Sequence, residues 1–187
     1  MKRTILFTLL ALYTVLGEVY GQSGLAASPD QNYILTLTPT VASQNTTGLT
    51  VEQCMQQLQY FDGLGRPLQA IQRGVTPSQG DLVTYQEYDS YGRESKSWLP
   101  SVVAANNGAF VGLPTLATKA GSTYNGDANP YSLNAYEPSP LNRLIEQKGP
   151  GQDWFTNGKS VKSDYYTNRY RNKNSAEEEL SSNEFFW

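Results

Sequence analysis

The sequence predicts a mainly β protein of antiparallel hairpins with long loops and at most one short helix, preceded by a signal-peptide helix. Three observations favour this fold class. A turn motif with Asp at its first position and Gly at its fourth recurs 27 residues apart, at Asp62 and Asp89. The flanking segments are rich in aromatic and β-branched residues or alternate in polarity. The composition, with 16 Gly, 13 Tyr and only 17% charged residues, is typical of a chain with many tight turns.

The composition also excludes several classes of chemistry. The chain has no histidine, which excludes Ser-His-Asp triads, Cys–His pairs, His-ligated metals and His-based pH switches. The single cysteine, Cys54, permits neither an internal disulfide nor a thiolate metal cluster, and we expect it to be a packed residue. A net charge of −3 with scattered Lys and Arg argues against nucleic-acid binding. We therefore expect no cofactor, no metal and no nucleic-acid partner.

Residues 1–21 predict a cleaved secretory signal, and so an exported protein that is periplasmic, secreted or at the cell surface. Lys2 and Arg3 give a positive start, and the apolar run that follows is too short to span a bilayer. Val19 and Gly21 are the small residues that signal peptidase needs before its cut. A membrane anchor or a buried helix is the alternative. After cleavage we expect no membrane association.

The first part of the mature chain leads into a strand. Residues 22–31 are small and polar and predict a flexible lead to a β-hairpin domain over residues 32–170. The β-rich run 33–38 predicts a strand. Residues 50–53 fit the start of a short helix with a capping box, whereas the alternation over residues 54–61 favours a strand.

The repeated motif predicts two hairpins. The Asp carboxylate accepts hydrogen bonds from backbone N–H groups two residues on, and Gly takes the positive φ that completes a bulged hairpin. The arms are residues 58–61 with 68–71, and residues 83–88 with 94–98. Pro67 has no N–H for the ladder, which places its arm at an edge or a bulge.

A third, looser copy begins at Tyr136-Glu137 and ends at Asn142-Arg143, two residues longer than the others. Asn142 stands where glycine stood, and Asn is the next-best residue for a positive φ. Between the second and third copies, residues 101–134 are rich in Ala, Gly, Asn and Thr. This stretch predicts one short helix, which begins at a proline, Pro114, and ends at a glycine, Gly121.

The C-terminal part carries another turn signal. The Asn-Gly pair at 157–158 favours a two-residue hairpin between residues 153–156 and 159–162. Residues 165–170 fit one more strand. The tail, residues 171–187, is charged but ends in Phe-Phe-Trp, and such an apolar end indicates that the native gene product continues.

The motif resembles the RHS/YD-repeat family, named for rearrangement hot spots and for its tyrosine–aspartate repeat, Tyr-Asp-x-x-Gly-Arg. Residues 88–93 fit this repeat fully, and residues 61–66 fit it with Phe in place of Tyr. Residues 60–67 and 139–143 are similar to an uncharacterised domain at the N-terminus of large secreted bacterial RHS-repeat proteins, a resemblance that covers roughly 32–168. The residues that carry the motif are Phe61, Asp62, Gly65, Arg66, Tyr88, Asp89, Gly92, Arg93, Asn142 and Arg143.

The resemblance implies a β-rich module at the start of a long array whose hairpins spiral into a hollow shell, often with a variable C-terminal segment. This sequence departs from that pattern, because two good copies cannot enclose a shell and no core or toxin segment is present. Each repeat needs neighbours to cover its apolar face. The implied partners are therefore further RHS repeats or another exported chain.

Three functions follow as hypotheses. The leading one is a non-enzymatic exported structural module that starts or caps an RHS/YD-repeat assembly. The alternative is a glycan- or cell-surface-binding module, because flat aromatic rings beside polar residues suit glycan stacking. The third, a glycoside hydrolase-like enzyme, needs two close carboxylates in one cleft. The turn and an edge ion pair already explain the Asp and Arg residues, so we assign no catalytic residue.

Several side chains distinguish these hypotheses. The candidates for ligand binding are Tyr91, Trp98, Trp154 and Phe155. Packing in the core and across strands is the alternative role for these rings, and the pattern favours it. The glutamines expected on a solvated strand face are Gln56, Gln57, Gln59 and Gln69.

Overall fold

The computed structural model describes residues 24–166, which form one antiparallel sheet. Its strands follow chain order, so each strand pairs with its neighbours in sequence. The strands are β1 (Asn32–Pro39), β2 (Cys54–Phe61), β3 (Pro67–Gln72), β4 (Asp81–Tyr88), β5 (Glu94–Val103), β6 (Tyr131–Tyr136), β7 (Leu144–Lys148) and β8 (Val161–Lys162). The helices are α1 (Leu113–Thr123) and α2 (Gln152–Thr156). The predicted mainly β fold of antiparallel hairpins is confirmed.

Some sequence predictions fall outside the described residues. These are the signal peptide, residues 1–21, and the tail, residues 171–187. The strand predicted over 165–170 is absent at Tyr165 and Tyr166, and its other residues are not described. Within residues 24–166, no helix is both long and apolar enough to cross a bilayer.

Three consecutive hairpins make up most of the sheet: hairpin 1 (β2–β3), hairpin 2 (β4–β5) and hairpin 3 (β6–β7). Their turns lie side by side at one end of the sheet, because a meander reverses direction at every strand. In each hairpin the strand register shifts next to the turn. The residue pairs that flank the turns are Phe61 with Pro67, Tyr88 with Glu94, and Tyr136 with Leu144. Such one-residue bulges bend and twist a hairpin locally.

The hydrophobic core lies on one face of strands β2 to β5. Its strand residues alternate along each strand, as a half-buried sheet requires. The buried members are Leu58, Tyr60, Ile71, Val83, Val103, Val111 and Leu116, of which the last two come from the loop and helix that cover the sheet. The predicted strand over residues 54–61 and the predicted packing of Cys54 are confirmed, and Leu58 and Tyr60 are buried on the same side of β2.

The chain before β1 also covers the core. Leu25 and Ala27 pack against the core residues. The Ser28 N–H donates to the Tyr60 hydroxyl (3.1 Å), and that hydroxyl donates to the Gly108 carbonyl (2.6 Å). The polar composition predicts a flexible lead here, whereas the described part of the lead, from residue 24, is packed through its few apolar residues.

Two of the glutamines predicted on a solvated face are buried. Gln69 is 1% exposed, and its amide donates to the Val111 carbonyl (2.8 Å) and accepts from the Val111 N–H (2.9 Å). Gln56 is 2% exposed and accepts from Arg73 Nη1 (2.6 Å). The prediction is wrong for these two residues: both amide groups of Gln69 are hydrogen-bonded, whereas Gln56 is bonded only through Oε1 and its Nε2 is buried without a partner among the described residues. Gln57 is exposed and Gln59 is half-buried.

The predicted single helix is found as α1, with Pro114 in its first turn. Gly121 does not end it, which corrects the prediction: the helix continues to Thr123. Two positive-φ residues close the end, Asn125 (φ 54°) directly after the C-cap and then Gly126 (φ 83°), whose N–H donates to the Gly121 carbonyl (2.7 Å). The segment with the predicted capping box, residues 50–53, forms a single turn that leads directly into β2.

The hairpin predicted around Asn157-Gly158 is wrong. Residues 152–156 form α2, and β8 pairs with β7. The Asp127 carboxylate accepts the Gln152 N–H (2.9 and 3.0 Å), which satisfies a backbone donor in the first turn of this helix. Asn157 then caps the C-terminus and Gly158 takes a φ of 62°. An Asn-Gly pair often provides the positive φ of a hairpin turn, but in this chain it provides the positive φ that follows the end of a helix.

Candidate functional site

The turn of hairpin 1 is built around Asp62. Its Oδ1 accepts the backbone N–H groups of Leu64 and Arg66 (2.9 Å each), and its Oδ2 accepts Arg66 Nε (2.7 Å). The Gly65 N–H donates to the Asp62 carbonyl (3.0 Å) while Gly65 takes a φ of 76°. Asp and Gly thus fill the roles that the motif predicts, and Arg66 adds an ion pair to the carboxylate.

Hairpin 2 repeats this geometry atom for atom. Asp89 Oδ1 accepts the N–H groups of Tyr91 (2.9 Å) and Arg93 (3.0 Å), and its Oδ2 accepts Arg93 Nε (2.7 Å). Gly92 takes a φ of 82°. The two turns are therefore equivalent, and the carboxylate of each is used by its own turn.

The hydrogen bonds also fix the charge of these carboxylates. The backbone N–H of Arg66 holds the pKa of Asp62 below its usual value, and the guanidinium of the same residue adds to this effect. Arg93 lowers the pKa of Asp89 in the same way. A carboxyl group that stays ionised is a poor general acid near neutral pH. Within residues 24–166, no group of three or more Cys, Asp or Glu residues is placed to hold a metal ion.

In the third turn, two residues make the contacts that a single aspartate makes in each of the first two turns. Glu137 forms a two-point contact with Arg143, Oε1 with Nε and Oε2 with Nη2 (2.8 Å each). Ser139 Oγ instead accepts the Leu141 N–H (3.2 Å), and Asn142 takes a φ of 54°. The hydrogen bond from Arg143 lowers the pKa of Glu137 to about 2, and the same contact raises the pKa of Arg143. The third turn is two residues longer than the others, which leaves room for two residues to make these contacts.

Each turn arginine also reaches the next copy of the motif. The Arg66 guanidinium carbon lies 4.2 Å from the centre of the Tyr88 ring, and the Tyr88 hydroxyl donates to the Pro67 carbonyl (2.7 Å). The arginine runs so close to the second turn that a Cβ on Gly92 would lie 2.7 Å from Arg66 Nη1. Gly92 is thus favoured by its φ, and a side chain there would displace the Arg66 guanidinium from its contacts with Asp62 and Tyr88.

The same contact joins hairpins 2 and 3. The Arg93 guanidinium carbon lies 4.6 Å from the centre of the Tyr136 ring, and the Tyr136 hydroxyl donates to the Glu94 carbonyl (3.0 Å). Arg93 Nη1 also donates to Asn142 Oδ1 (3.2 Å). Asn142 therefore supplies a positive φ and an acceptor for the neighbouring hairpin.

A third contact of this type lies beyond hairpin 3. The Arg143 guanidinium carbon lies 4.7 Å from the centre of the Tyr165 ring, and the Tyr165 hydroxyl donates to the Leu144 carbonyl (3.1 Å). In all three cases the tyrosine bonds the carbonyl of the residue after the arginine. We call the three pairs the Arg–Tyr row: Arg66–Tyr88, Arg93–Tyr136 and Arg143–Tyr165.

The Arg–Tyr row begins at hairpin 1. Phe61 occupies the position that Tyr88 and Tyr136 hold in the later hairpins, next to the turn. Its ring has no hydroxyl to donate. The strand on its other side, β1, places Asn32 opposite Phe61 and does not come from an Asp-x-x-Gly-Arg turn. Phe therefore replaces Tyr at the hairpin where the Arg–Tyr row begins.

The aromatic candidates for ligand binding are separated. Trp98 lies 4.8 Å from Tyr131, which lies 5.4 Å from Phe155 (ring centres), so these rings form one half-buried cluster. Trp154 packs against Gly149, where a Cβ would lie 2.6 Å from the indole. These three candidates are half-buried and packed against other residues, whereas Tyr91 is 81% exposed at the tip of hairpin 2.

Two features of the site are not among the sequence predictions. One is Tyr165, predicted only as part of a strand. No pattern in the neighbouring sequence marks this role. The other is the exposure of Leu64 (80%) and Leu141 (68%), which precede the positive-φ position of their turns as the predicted candidate Tyr91 (81%) does.

The fold and the Arg–Tyr row define a protein of consecutive bulged hairpins joined through their turns. The model of one protein family, a domain of unknown function (DUF6443), matches residues 35–167. The chain belongs to this family. The match includes all three hairpins and the whole Arg–Tyr row. No curated protein and no solved structure matches the chain significantly.

Proposed function

We propose that this chain is a non-enzymatic structural module that forms the N-terminal cap of an exported array of RHS/YD-type hairpins. The observation that carries the proposal is the Arg–Tyr row. It starts at Arg66, in the hairpin that has Phe61 at the tyrosine position, and extends to Tyr165, beyond the third hairpin. The repeated motif of residues 61–66 and 88–93 supports the link to the RHS/YD repeat.

The direction of the row supports a cap at the N-terminal end. Each arginine contacts the tyrosine of the following copy, so every hairpin covers the turn of the one before it. Hairpin 1 has Phe61 at this position and needs no preceding arginine. A repeat array requires a distinct terminal unit, because its first copy has no neighbour on one side.

The other end of the Arg–Tyr row supports the proposal that the hairpin array continues after this chain's third hairpin. β8 pairs with β7 as β4 pairs with β3 and as β6 pairs with β5. Tyr165 follows β8 and takes the place of the next tyrosine. β8 is therefore equivalent to the first arm of a further hairpin, which would join the sheet at this edge.

A structural function also agrees with the charges in the turns. Asp62 and Asp89 are held by their own backbone N–H groups and arginines, which leaves them committed to the turns. Export is supported by the signal-like residues 1–21. The core contains one buried free cysteine, Cys54, so folding outside the cell needs no disulfide among the described residues.

The test joins the full chain to an RHS-type hairpin array in one polypeptide and measures thermal unfolding by calorimetry. Docking at β8 couples neighbouring repeats, so we expect one cooperative transition and a higher melting temperature for the array. Arg143→Ala removes the last Arg–Tyr pair and should separate the transitions. Arg66→Ala removes the same chemistry at the first pair, away from the joint, and should leave the coupling intact.

Two results would contradict the proposal. One is independent unfolding of the chain and the array in the unsubstituted polypeptide. The other is saturable binding on a glycan array that is lost in Trp98→Ala or Trp154→Ala, which would favour a glycan-binding module. Because these rings are half-buried, circular dichroism must show that each variant is folded before the binding result is used.

A further inference from the structure

The outer edge of β1 is long, regular and uncharged. β1 pairs with β2 in continuous register over residues 32–39 and, within residues 24–166, with no other strand. Its sequence, Asn-Tyr-Ile-Leu-Thr-Leu-Thr-Pro, has no charged residue. Natural edge strands are usually protected by charges, bulges or short length. The strand at the opposite edge, β8, has only two residues, one of which is Lys162.

Both faces of β1 retain apolar surface. Tyr33, Leu35 and Leu37 alternate on the core side, where Leu35 is opposite the buried Leu58. Tyr33 is 41% exposed, and the two leucines are only partly covered. On the other face Ile34 is 58% exposed. The edge therefore offers backbone donors and acceptors together with apolar side chains.

We infer that this edge pairs antiparallel with the same edge of a second copy of the chain, about a two-fold axis at Leu35. Directly opposed residues in an antiparallel pair lie on the same face. Centring the pair on Leu35 places Tyr33 opposite Leu37 of the second copy on the core side. It places Ile34 opposite Thr36 on the other side. The two sheets join into one, with a continuous apolar face.

Self-complementarity favours a second copy over an unrelated strand. A two-fold interface presents the same patch twice, so a charge in β1 would bring two like charges into the interface. β1 has none, and the symmetric pairs in this register are Leu–Leu at the axis, Ile–Thr, Tyr–Leu and Asn–Thr. Aromatic–aliphatic pairs of this type stabilise antiparallel sheets. The inference depends on β1 alone and not on the proposed function, which concerns the edge at β8.

The expected affinity is modest. One strand pair covers less surface than the roughly 1,200–2,000 Å² of a stable specific interface. The dimer should therefore form as protein concentration rises and dissociate on dilution. Because the pairing involves no charges, it should change little with salt concentration.

The experiment is sedimentation velocity on the purified chain over a wide concentration range. The variant Ile34→Lys puts a charge on the proposed interface. Met55→Lys is the matched control, because Met55 lies on the same face, one strand inward, and is 59% exposed against 58% for Ile34. Thr36→Lys is a second edge variant, at an exposed residue that lies opposite Ile34 of the second copy.

We expect a concentration-dependent dimer for the unsubstituted chain and for Met55→Lys. Both edge variants should remain monomeric over the same concentrations, because we expect their association to be at least tenfold weaker. Circular dichroism and melting curves identify any variant that fails to fold. A chain that stays monomeric throughout overturns the inference. So does a dimer that survives both edge variants, since its interface must then lie elsewhere.

Discussion

The Arg143 guanidinium carbon lies 4.7 Å from the centre of the Tyr165 ring, after the last complete hairpin of the sheet. The same arrangement joins the earlier hairpins, with distances of 4.2 and 4.6 Å. A cation over an aromatic face, together with a hydroxyl bonded to a nearby carbonyl, fixes both the position and the rotation of the ring. The contact between Arg143 and Tyr165 is therefore of the same kind as the contacts that join the hairpins to one another.

The hydroxyl groups of the Arg–Tyr row should stabilise the fold measurably. Tyr88→Phe removes the hydrogen bond to the Pro67 carbonyl and leaves the ring in place. We expect the free energy of unfolding in urea to fall by about 1 kcal/mol. Tyr91→Phe, at an 81% exposed ring, is the control and should change it little. If Tyr88→Phe and Tyr91→Phe lost the same amount of unfolding free energy, the hydrogen bond from the Tyr88 hydroxyl would not explain the loss.

Substitutions at two turn glycines, Gly65 and Gly92, distinguish the cost of backbone strain from the cost of disturbing the contact between hairpins. Gly65 and Gly92 have similar φ values (76° and 82°), but a Cβ meets nothing within 4 Å at Gly65 and meets Arg66 Nη1 at 2.7 Å at Gly92. We expect Gly65→Ala to cost about 1–2 kcal/mol from the left-handed backbone alone and Gly92→Ala to cost more. Chemical denaturation measures both.

The additional cost at Gly92 should depend on the arginine. In an Arg66→Ala background, the difference between Gly92→Ala and Gly65→Ala should largely disappear, because the clashing atom is gone. If the difference persisted unchanged, the approach of Arg66 to the second turn would not explain it.

The third turn should lose stability in acid. The pKa of Glu137 is about 2 when folded against 4.5 for a free side chain, so its contribution is complete above pH 4.5 and is lost as the pH falls toward 2. We expect Glu137→Gln to be less stable than the parent chain at neutral pH, with a difference that narrows over this window. Glu94→Gln, at an exposed residue of β5, controls for the loss of a negative charge. A gap that stays constant from neutral pH to pH 2 would contradict the assignment.

The buried glutamine of β3 should be essential to the covering loop. Gln69→Met keeps the side-chain length but leaves the buried N–H and carbonyl of Val111 without their partner. We expect a loss of about 1–3 kcal/mol in the free energy of unfolding. Gln57→Met, at an exposed position of β2, is the control and should be nearly neutral. Comparable losses at both positions would argue against the bond to Val111.

The sequence predicts the turns well because their information is local. Asp62 and Gly65 determine a turn within five residues, and Asn142 could be recognised in the third copy because few residues accept a positive φ. The alternation that predicts β2 is equally local, and Leu58 and Tyr60 are buried on the same side of that strand.

The remaining features depend on distant parts of the chain. Gln69 is buried because Val111, 42 residues away, needs hydrogen-bond partners, and no pattern in β3 reveals this. The Arg–Tyr row depends on how hairpins lie side by side, so Tyr165 could not be assigned from its neighbours in sequence. At Asn157-Gly158 the local signal fits two structures, and the contact of Asp127 with α2 favours the helix end.

The most direct test of the Arg–Tyr row is a double-mutant cycle on Arg143 and Tyr165, each replaced by Ala, with unfolding free energies measured in urea. A parallel cycle on Arg66 and Tyr88 calibrates it. We expect coupling of about 0.5–1 kcal/mol in both cycles, the range for exposed cation–π pairs. Coupling in the Arg66–Tyr88 cycle together with none in the Arg143–Tyr165 cycle would contradict the claim that the row continues beyond the third hairpin.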